Sequence, residues 1–582
     1  MRREYGWRSS ALAIVFGFCA FLILGQMVRI QTSAEADLFR DQAELFAGNW
    51  RTYYPERGKI YDRNGHLLAG NEQVYTVGVN ITEMNDAQAI ALLVSANLGL
   101  DFNSVYQQLL NSGGLTFLTL KDFVSGDELA PLQQAQKQVS AQSKAANRLS
   151  PLAGLEFQPR LQRSYPEHAL ASNLIGFVNR EGRGYFGVEE KYNDLLAGSP
   201  VRVWVPEDPN RAAELPHVPG GTTLVLTIDR DLQYAAEKSL DQALIETDAQ
   251  NGTIVIMDPR TGEILAMATT PRMDLNQFWN YNSYFNNAYE YNPAISMQYE
   301  PGSVFKILTM AGALDMGLVQ DRTPFFDTGS IIVGEVNIQN WDRGSWGAQD
   351  MTTCLQHSLN VCLAWVSTQM GADHFYDYMN RFGFGRATGV DLAGESAGRL
   401  KSPLDADWYP VDLGTNAFGQ GVAVTPIQML AAVSAVANDG RMVTPRVLNS
   451  MVRDGRQFNI PPSSAGTPIS AQTAHTLSQM LATSLESEAS MALVPGYRIA
   501  GKTGTAQIPV NGYYDAYQTN VSFIGWGPVD DPKFMIYVWL ERPTSSPWAN
   551  DTAAPLFAEI AQKLVILLNI PPDFIRLQTA NQ

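Results

Sequence analysis

The sequence is poor in the residues that bind metals or staple small domains. Its 582 residues include three cysteines and six scattered histidines. No H-E-x-x-H and no C-x-x-C occurs, so the ligand spacings of zinc sites are missing and no metal centre is expected. Three cysteines build no disulfide framework. Cys19 lies in an apolar run, and Cys354 and Cys362 fall in a stretch that reads as helix, which would hold their Cα atoms roughly 12 Å apart. Three free thiols are therefore expected. Basic charge is also scarce: 41 Lys and Arg against 58 Asp and Glu leave a net charge of −17. Phosphate neutralisation needs basic surface, so non-specific nucleic-acid binding is excluded. The apolar share of 45% fills ordinary cores, and disorder is not the default.

One long apolar run is present. ALAIVFGFCAFLILGQMV, Ala11 to Val28, carries no charge and is about long enough to span a bilayer as a helix. Arg2, Arg3 and Arg8 precede it, which predicts a cytoplasmic N-terminus with everything after Arg29 across the plasma (inner) membrane. No small-x-small cleavage site closes the apolar region, so an uncleaved single-pass anchor is expected.

Beyond the anchor, Arg29 to Trp50 reads as an amphipathic helix. Arg57 to Ile81 alternates apolar and polar residues around Asn64-Gly65, a hairpin signal, because both residues tolerate positive φ. Residues from about 84 to 149 read as helical, ending in a polar, solvated segment. Pro206 to Gly221 reads as a boundary. After it TLVLTID predicts a strand leading into a helix, GTIVIMDP and EILAMATTP a hairpin, NVSFIGWGP and KFMIYVWLE another, and Ala553 to Leu568 an apolar helix. Strands at both ends with helices between them predict an α+β fold whose central antiparallel sheet is flanked by helices.

Three short motifs carry chemistry. In YEPGSVFKILTMAGALDMG, Ser303 opens a helix and Lys306 follows on the same face, where its amine can take the hydroxyl proton. In Ser358-Leu359-Asn360 a hydroxyl and an amide can relay a proton and hold a peptide carbonyl; Ser95-Ala96-Asn97 has the same spelling, but only the later copy lies between the other two motifs. In Lys502-Thr503-Gly504-Thr505 a cation beside a hydroxyl can bind a carboxylate, Gly504 leaves room for a peptide along a strand, and the Thr505 N–H can face an oxyanion. The order S-x-x-K, S-x-N, K-T-G is that of serine enzymes acting on D-alanyl peptides.

The last motif has a second spelling. Gly496, Gly501, Lys502 and Thr503 satisfy the phosphate-loop pattern of nucleotide hydrolases. That reading needs a strand before Gly496 and a helix after Thr503. Val494-Pro495 offers no long strand, and Pro509 with Asn511-Gly512 cannot continue a helix, so it is rejected.

With the motifs in place the chain resembles the class B penicillin-binding proteins, membrane-anchored peptidoglycan D,D-transpeptidases. The resemblance extends to RGKIYDRNGHLLA, RSYP, LIGFVNREGRGYFGVEEKYNDLLAG and FGQGVAVTPIQML. YEPGS, Asn360 and GFVN are more similar to the division-type branch than to the elongation-type one. Val304 and Leu359 depart from the residues usual there, threonine and serine. The implied organisation is a cytoplasmic tail (1–10), a transmembrane anchor (11–30), a non-catalytic pedestal of the dimerisation type (31–220), a transpeptidase domain (221–570) and a C-terminal tail (571–582).

The resemblance implies attack by Ser303 on the carbonyl between two D-alanines of a stem peptide, with Lys306 as base. Lys306 would be kept partly neutral by burial and by the charge of Lys502. Ser303 and Thr505 N–H groups would form the oxyanion hole, Ser358 would pass the proton to the leaving D-alanine, and Asn360 would hold the substrate backbone. Lys502, Thr503 and Thr505 would bind its carboxylate. β-Lactams are expected to acylate the same serine, without a cofactor. Expected partners are a glycosyltransferase of the shape-elongation-division-sporulation group and other divisome proteins. Rival readings are an elongation-type transpeptidase, a D,D-carboxypeptidase, and an inactive β-lactam-binding scaffold or sensor.

Overall fold

A computed structural model describes residues 6–33, 36, 48–206, 218–285, 291–488, 490–510 and 513–580. The chain forms two units, Met1–Glu56 with Gly198–Gly220, and Arg57–Ala197 with Gly221–Gln582.

In the first unit a helix runs over Gly6–Gln31. Its part Ser10–Gln31 is long and apolar enough to cross a membrane, and none of its apolar window is buried in protein. The amphipathic helix expected over Arg29 to Trp50 lies mostly outside the described residues. The helix ends at Gln31, residues 37–47 lie outside those described, and Trp50 belongs to a strand, Gly48–Tyr53, antiparallel to Val201–Pro206. Of the expected boundary from Pro206 to Gly221, residues 207–217 also lie outside those described.

The second unit holds two large sheets. The seven-stranded one contains, in order, Arg456–Asn459, Leu448–Arg453, Thr223–Leu226, Ile60–Tyr61, Leu67–Asn80 and Phe117–Ser125, with Leu155–Ser164 also paired to Leu67–Asn80. The Asn64-Gly65 hairpin is present, with Gly65 at φ +89°. Its anchor is the fully buried Asp62, whose carboxylate accepts N–H bonds from Asn64, His66 and Arg230 at 2.9, 2.7 and 3.1 Å. Residues 84 to 149 are not all helical: Phe117–Ser125 forms a strand between the helices Phe102–Leu110 and Gly126–Ala145. FLTLKDFVS is rich in aromatic and β-branched residues, which favour that pleated setting. TLVL also leaves the sheet expected for it, because Thr223–Leu226 pairs in parallel with Ile60–Tyr61.

The second sheet is the central antiparallel one. Its five strands run in the order Ile264–Thr269, Asn251–Met257, Phe534–Glu541, Tyr513–Gly527, Ala500–Val510. Period-two alternation along Phe534–Glu541 feeds two cores. Phe534, Ile536, Val538 and Leu540 pack under the helices Arg230–Thr247 and Ala553–Leu567, whereas Met535, Tyr537 and Trp539 face the core around Lys306–Asp315 and Pro426–Ala437. All seven are at most 1% exposed. Burial of such side chains contributes about 2 kcal/mol each, so this strand is the keel of the domain.

Candidate active site

The turn carrying Ser303 is built by glycines. Gly302 adopts φ +59° and donates its N–H to the Gly419 carbonyl at 3.1 Å. A Cβ on Gly419 would lie 2.3 Å from the Gly302 oxygen, so FGQG can close on YEPGS only without a side chain there. Gly421 N–H and Glu300 Oε1 add a second link at 2.9 Å. Gly302–Phe305 is a 3₁₀ turn that runs into the helix Lys306–Asp315. Residues i and i+3 eclipse in 3₁₀ geometry, which puts Lys306 on the side of Ser303. Ser303 is half-buried and Lys306 fully buried.

Lys306 Nζ donates to the Ser358 carbonyl at 2.5 Å, to Ser358 Oγ at 3.1 Å and to Asn360 Oδ1 at 2.8 Å. Asn360 is fixed in turn by donating Nδ2 to the Gln339 carbonyl at 3.2 Å. Ser95-Ala96-Asn97, by contrast, lies in the pedestal helix Ala87–Leu98. The stretch around Ser358 is not one helix: Met351–Gln356 stops and Asn360–Met370 restarts, with Ser358 at φ +53° between them. That break overturns the expectation of three free thiols. It brings the Cα atoms of Cys354 and Cys362 to 6.2 Å, and the two are joined in a disulfide bracketing Ser358 and Asn360; Cys19 alone stays free.

Lys502, Thr503, Gly504 and Thr505 lie on Ala500–Val510, the edge strand of the central sheet, so alternate backbone groups are left unpaired by any neighbouring strand. Lys502 is 5% exposed and contacts Thr503 Oγ1 at 3.2 Å. Thr505 Oγ1 accepts from Ala549 N–H at 3.3 Å. A Cβ on Gly504 would meet Ser522 Oγ at 2.3 Å and the Pro301 carbonyl at 3.0 Å. The missing side chain thus makes room for the Ser303 turn, a tighter reason for glycine than passage of a substrate. No phosphate loop is present: Gly496 sits in a turn at φ +84°, its carbonyl accepts from Asp573, and a strand follows.

Two cations in one buried site repel. Burial first, and then the charge of Lys502, pushes Lys306 well below the ordinary lysine range, the direction expected from sequence. Burial lowers Lys502 to about 8, partly opposed by the carboxylate of Glu488.

Several residues of this site were not singled out in the sequence. Glu488 also meets His357 Nδ1 at 3.2 Å, His357 stacks on Trp346 at 4.2 Å, and Trp341 Nε1 donates to the His357 carbonyl at 3.2 Å. Trp341 in turn meets Trp548 edge to face at 5.3 Å, beside the Ala549 that bonds Thr505. Only the FGQG string carried a signal for Gly419. Both departures from the usual pattern, Val304 and Leu359, are fully buried in the core.

Comparison with known proteins agrees with this geometry. The model of the penicillin-binding protein transpeptidase domain matches residues 252–562, and that of the penicillin-binding protein dimerisation domain matches residues 52–205. Stage V sporulation protein D of Bacillus subtilis is 31% identical over 96% of this chain and 85% of its own length. The probable peptidoglycan D,D-transpeptidase PbpC of Pseudomonas aeruginosa is 28% identical over 98% of this chain and 97% of its own. The crystal structure of penicillin-binding protein 3 from Mycobacterium tuberculosis, complexed with aztreonam, superposes with a TM-score of 0.68 at 27% identity, covering 90% of this chain and 98% of that one. Motifs, fold and relatives coincide, and the chain belongs to the class B penicillin-binding proteins, the D,D-transpeptidases of peptidoglycan synthesis.

Proposed function

We propose that Ser303 is the acylated nucleophile and that Lys306 takes its proton. The observation that carries this is the buried Lys306 amine, pushed toward neutrality and held by Ser358 and Asn360 on the side of Ser303. Ser303 Oγ adds to the carbonyl between two D-alanines of a stem peptide, and its proton passes through Lys306. Collapse of the tetrahedral adduct breaks the D-Ala–D-Ala bond, and the leaving amine takes a proton by way of Ser358. An amine of a second stem peptide then displaces Ser303, completing the cross-link. Ser303 and Thr505 N–H groups hold the oxyanion, each typically worth about 3 kcal/mol. Asn360 orients the substrate backbone, and Lys502 with Thr503 and Thr505 holds its carboxylate. β-Lactams take the substrate's place and leave Ser303 acylated.

The test is acylation by a labelled penicillin. The full chain should take up label, Ser303→Ala none, and Lys306→Ala should label about 100-fold or more slowly while folding normally. Equal labelling of Ser303→Ala would refute the assignment.

The same reading places the N-terminus in the cytoplasm, on the strength of Arg2, Arg3 and Arg8, and the second unit outside the membrane. It assigns a septal role with a glycosyltransferase of the shape-elongation-division-sporulation group and other divisome proteins, supported by YEPGS, Asn360 and GFVN. Depletion in a rod-shaped host should give filaments; round cells would indicate elongation. The Bacillus relative suggests a second setting, sporulation, for which normal division with failed spore formation is the distinguishing outcome.

A further inference from the structure

Outside the cleft, one side chain is turned outward at a conformational cost. In the strand Phe117–Ser125, Lys121 pairs with Val77 and Val124 with Tyr75, so Asp122 and Phe123 together oppose Thr76 in a bulge. Asp122 Oδ1 is occupied by the Thr76 hydroxyl at 2.7 Å. Phe123 adopts φ +59°, which is unfavourable for a bulky residue, and belongs to no buried core cluster. It stacks instead on Trp279 at 6.1 Å, with the guanidinium carbons of Arg160 and Arg180 at 4.9 and 5.3 Å from its centroid.

The ring series continues. Trp279 meets Phe278 at 5.3 Å, Phe278 stacks on Phe177 at 5.8 Å, and Phe177 stacks on Tyr185 at 5.9 Å, over which Arg183 sits at 5.8 Å. Trp279 is 51% and Tyr185 37% exposed. Among the described residues none of Arg160, Arg180 and Arg183 forms an ion pair, in a chain with a net charge of −17; the carboxylate of nearby Glu181 joins none of them. Arg160 spends one N–H on the Arg180 carbonyl at 3.3 Å, and a guanidinium stacked on a hydrocarbon ring keeps its remaining N–H edge available for bonding to a carboxylate.

We propose that this ribbon binds an acidic glycan, the uncross-linked peptidoglycan strand, away from the catalytic serine. The inference rests on the transpeptidase reading for its choice of ligand. The three arginines take stem-peptide carboxylates, and the exposed faces of Trp279 and Tyr185 take the C–H faces of sugar rings. An acidic protein segment would use the guanidiniums but not the ring faces; a carboxylate-bearing sugar polymer uses both.

The test uses the full chain in detergent micelles, its cleft blocked by penicillin, titrated with fluorescent uncross-linked peptidoglycan strands. Binding should be saturable and weaken with salt. It should be about tenfold weaker in an Arg160→Gln/Arg180→Gln/Trp279→Ala variant and measurably weaker in Arg180→Gln alone. Amidating the stem carboxylates should weaken binding to the parent chain by a similar factor. Unchanged binding by both variants overturns the proposal, as does equal competition by poly-glutamate, which would point to an acidic protein segment. Both variants should acylate at the parent rate. A parent chain that takes no penicillin would count against the catalytic reading instead, and the titration is then made on the unblocked chain.

Discussion

Lys306 Nζ lies 2.5 Å from the carbonyl oxygen of Ser358 and 3.1 Å from its hydroxyl. A neutral amine has two N–H bonds and one lone pair. The Ser358 carbonyl and Asn360 Oδ1 can accept both N–H bonds, which leaves the lone pair for a hydroxyl proton. The S-x-N motif therefore orients the proposed base, and removal of the Asn360 side-chain acceptor should loosen the amine.

Acylation should have a bell-shaped dependence on pH. In the proposed mechanism Lys306 acts when neutral, so the rate should rise as pH passes upward through its lowered pKa. Lys502 is proposed to hold a carboxylate when charged, so the rate should fall as it deprotonates, near about 8. The second-order rate constant for penicillin acylation checks this; a flat alkaline side to about pH 10 would contradict the role of Lys502.

Glu488→Gln should move the alkaline limb to lower pH. Its carboxylate raises the pKa of Lys502 against the effect of burial, and the neutral amide removes that support. The same pH profile reads the shift, and a limb that stays put or moves upward refutes the coupling.

Gly419→Ala should cost about 1–3 kcal/mol of stability, from a Cβ driven against the Gly302 carbonyl and from φ +82° at a non-glycine residue. Displacement of the Ser303 turn should also slow acylation, on the order of tenfold to 100-fold. Thermal unfolding and labelling kinetics measure the two separately.

Reducing the disulfide, or replacing Cys354 and Cys362 by serine, should slow acylation about tenfold, because the link closes the turn that presents Ser358 and Asn360. Free thiols are titrated in the same sample. Unchanged kinetics with both thiols free would show that Leu359 and its core neighbours alone hold the turn.

Much of this architecture was legible where local chemistry determines local structure. Asn64-Gly65 specifies its hairpin, and the apolar runs NVSFIGWGP and KFMIYVWLE pair as the expected hairpin of the central sheet. The break at Ser358 was not legible, since neither glycine nor proline marks a left-handed residue there, and the disulfide was missed with it. Phe117–Ser125 was hidden because its sheet partner, Leu67–Asn80, is separated from it by two helices. The contacts of Glu488, Trp341 and Gly419 arise from tertiary approach alone, and periodicity carries no sign of them.

Ile60–Tyr61 is hydrogen-bonded on one side to Leu67–Asn80 and on the other to Thr223–Leu226, whose chain enters the helix Arg230–Thr247. Asp62, next in the chain, accepts the Arg230 N–H at the start of that helix. The two-residue strand Ile60–Tyr61 and the Asp62 link thus join Leu67–Asn80 to the start of the helix Arg230–Thr247 by backbone bonds as well as by packing.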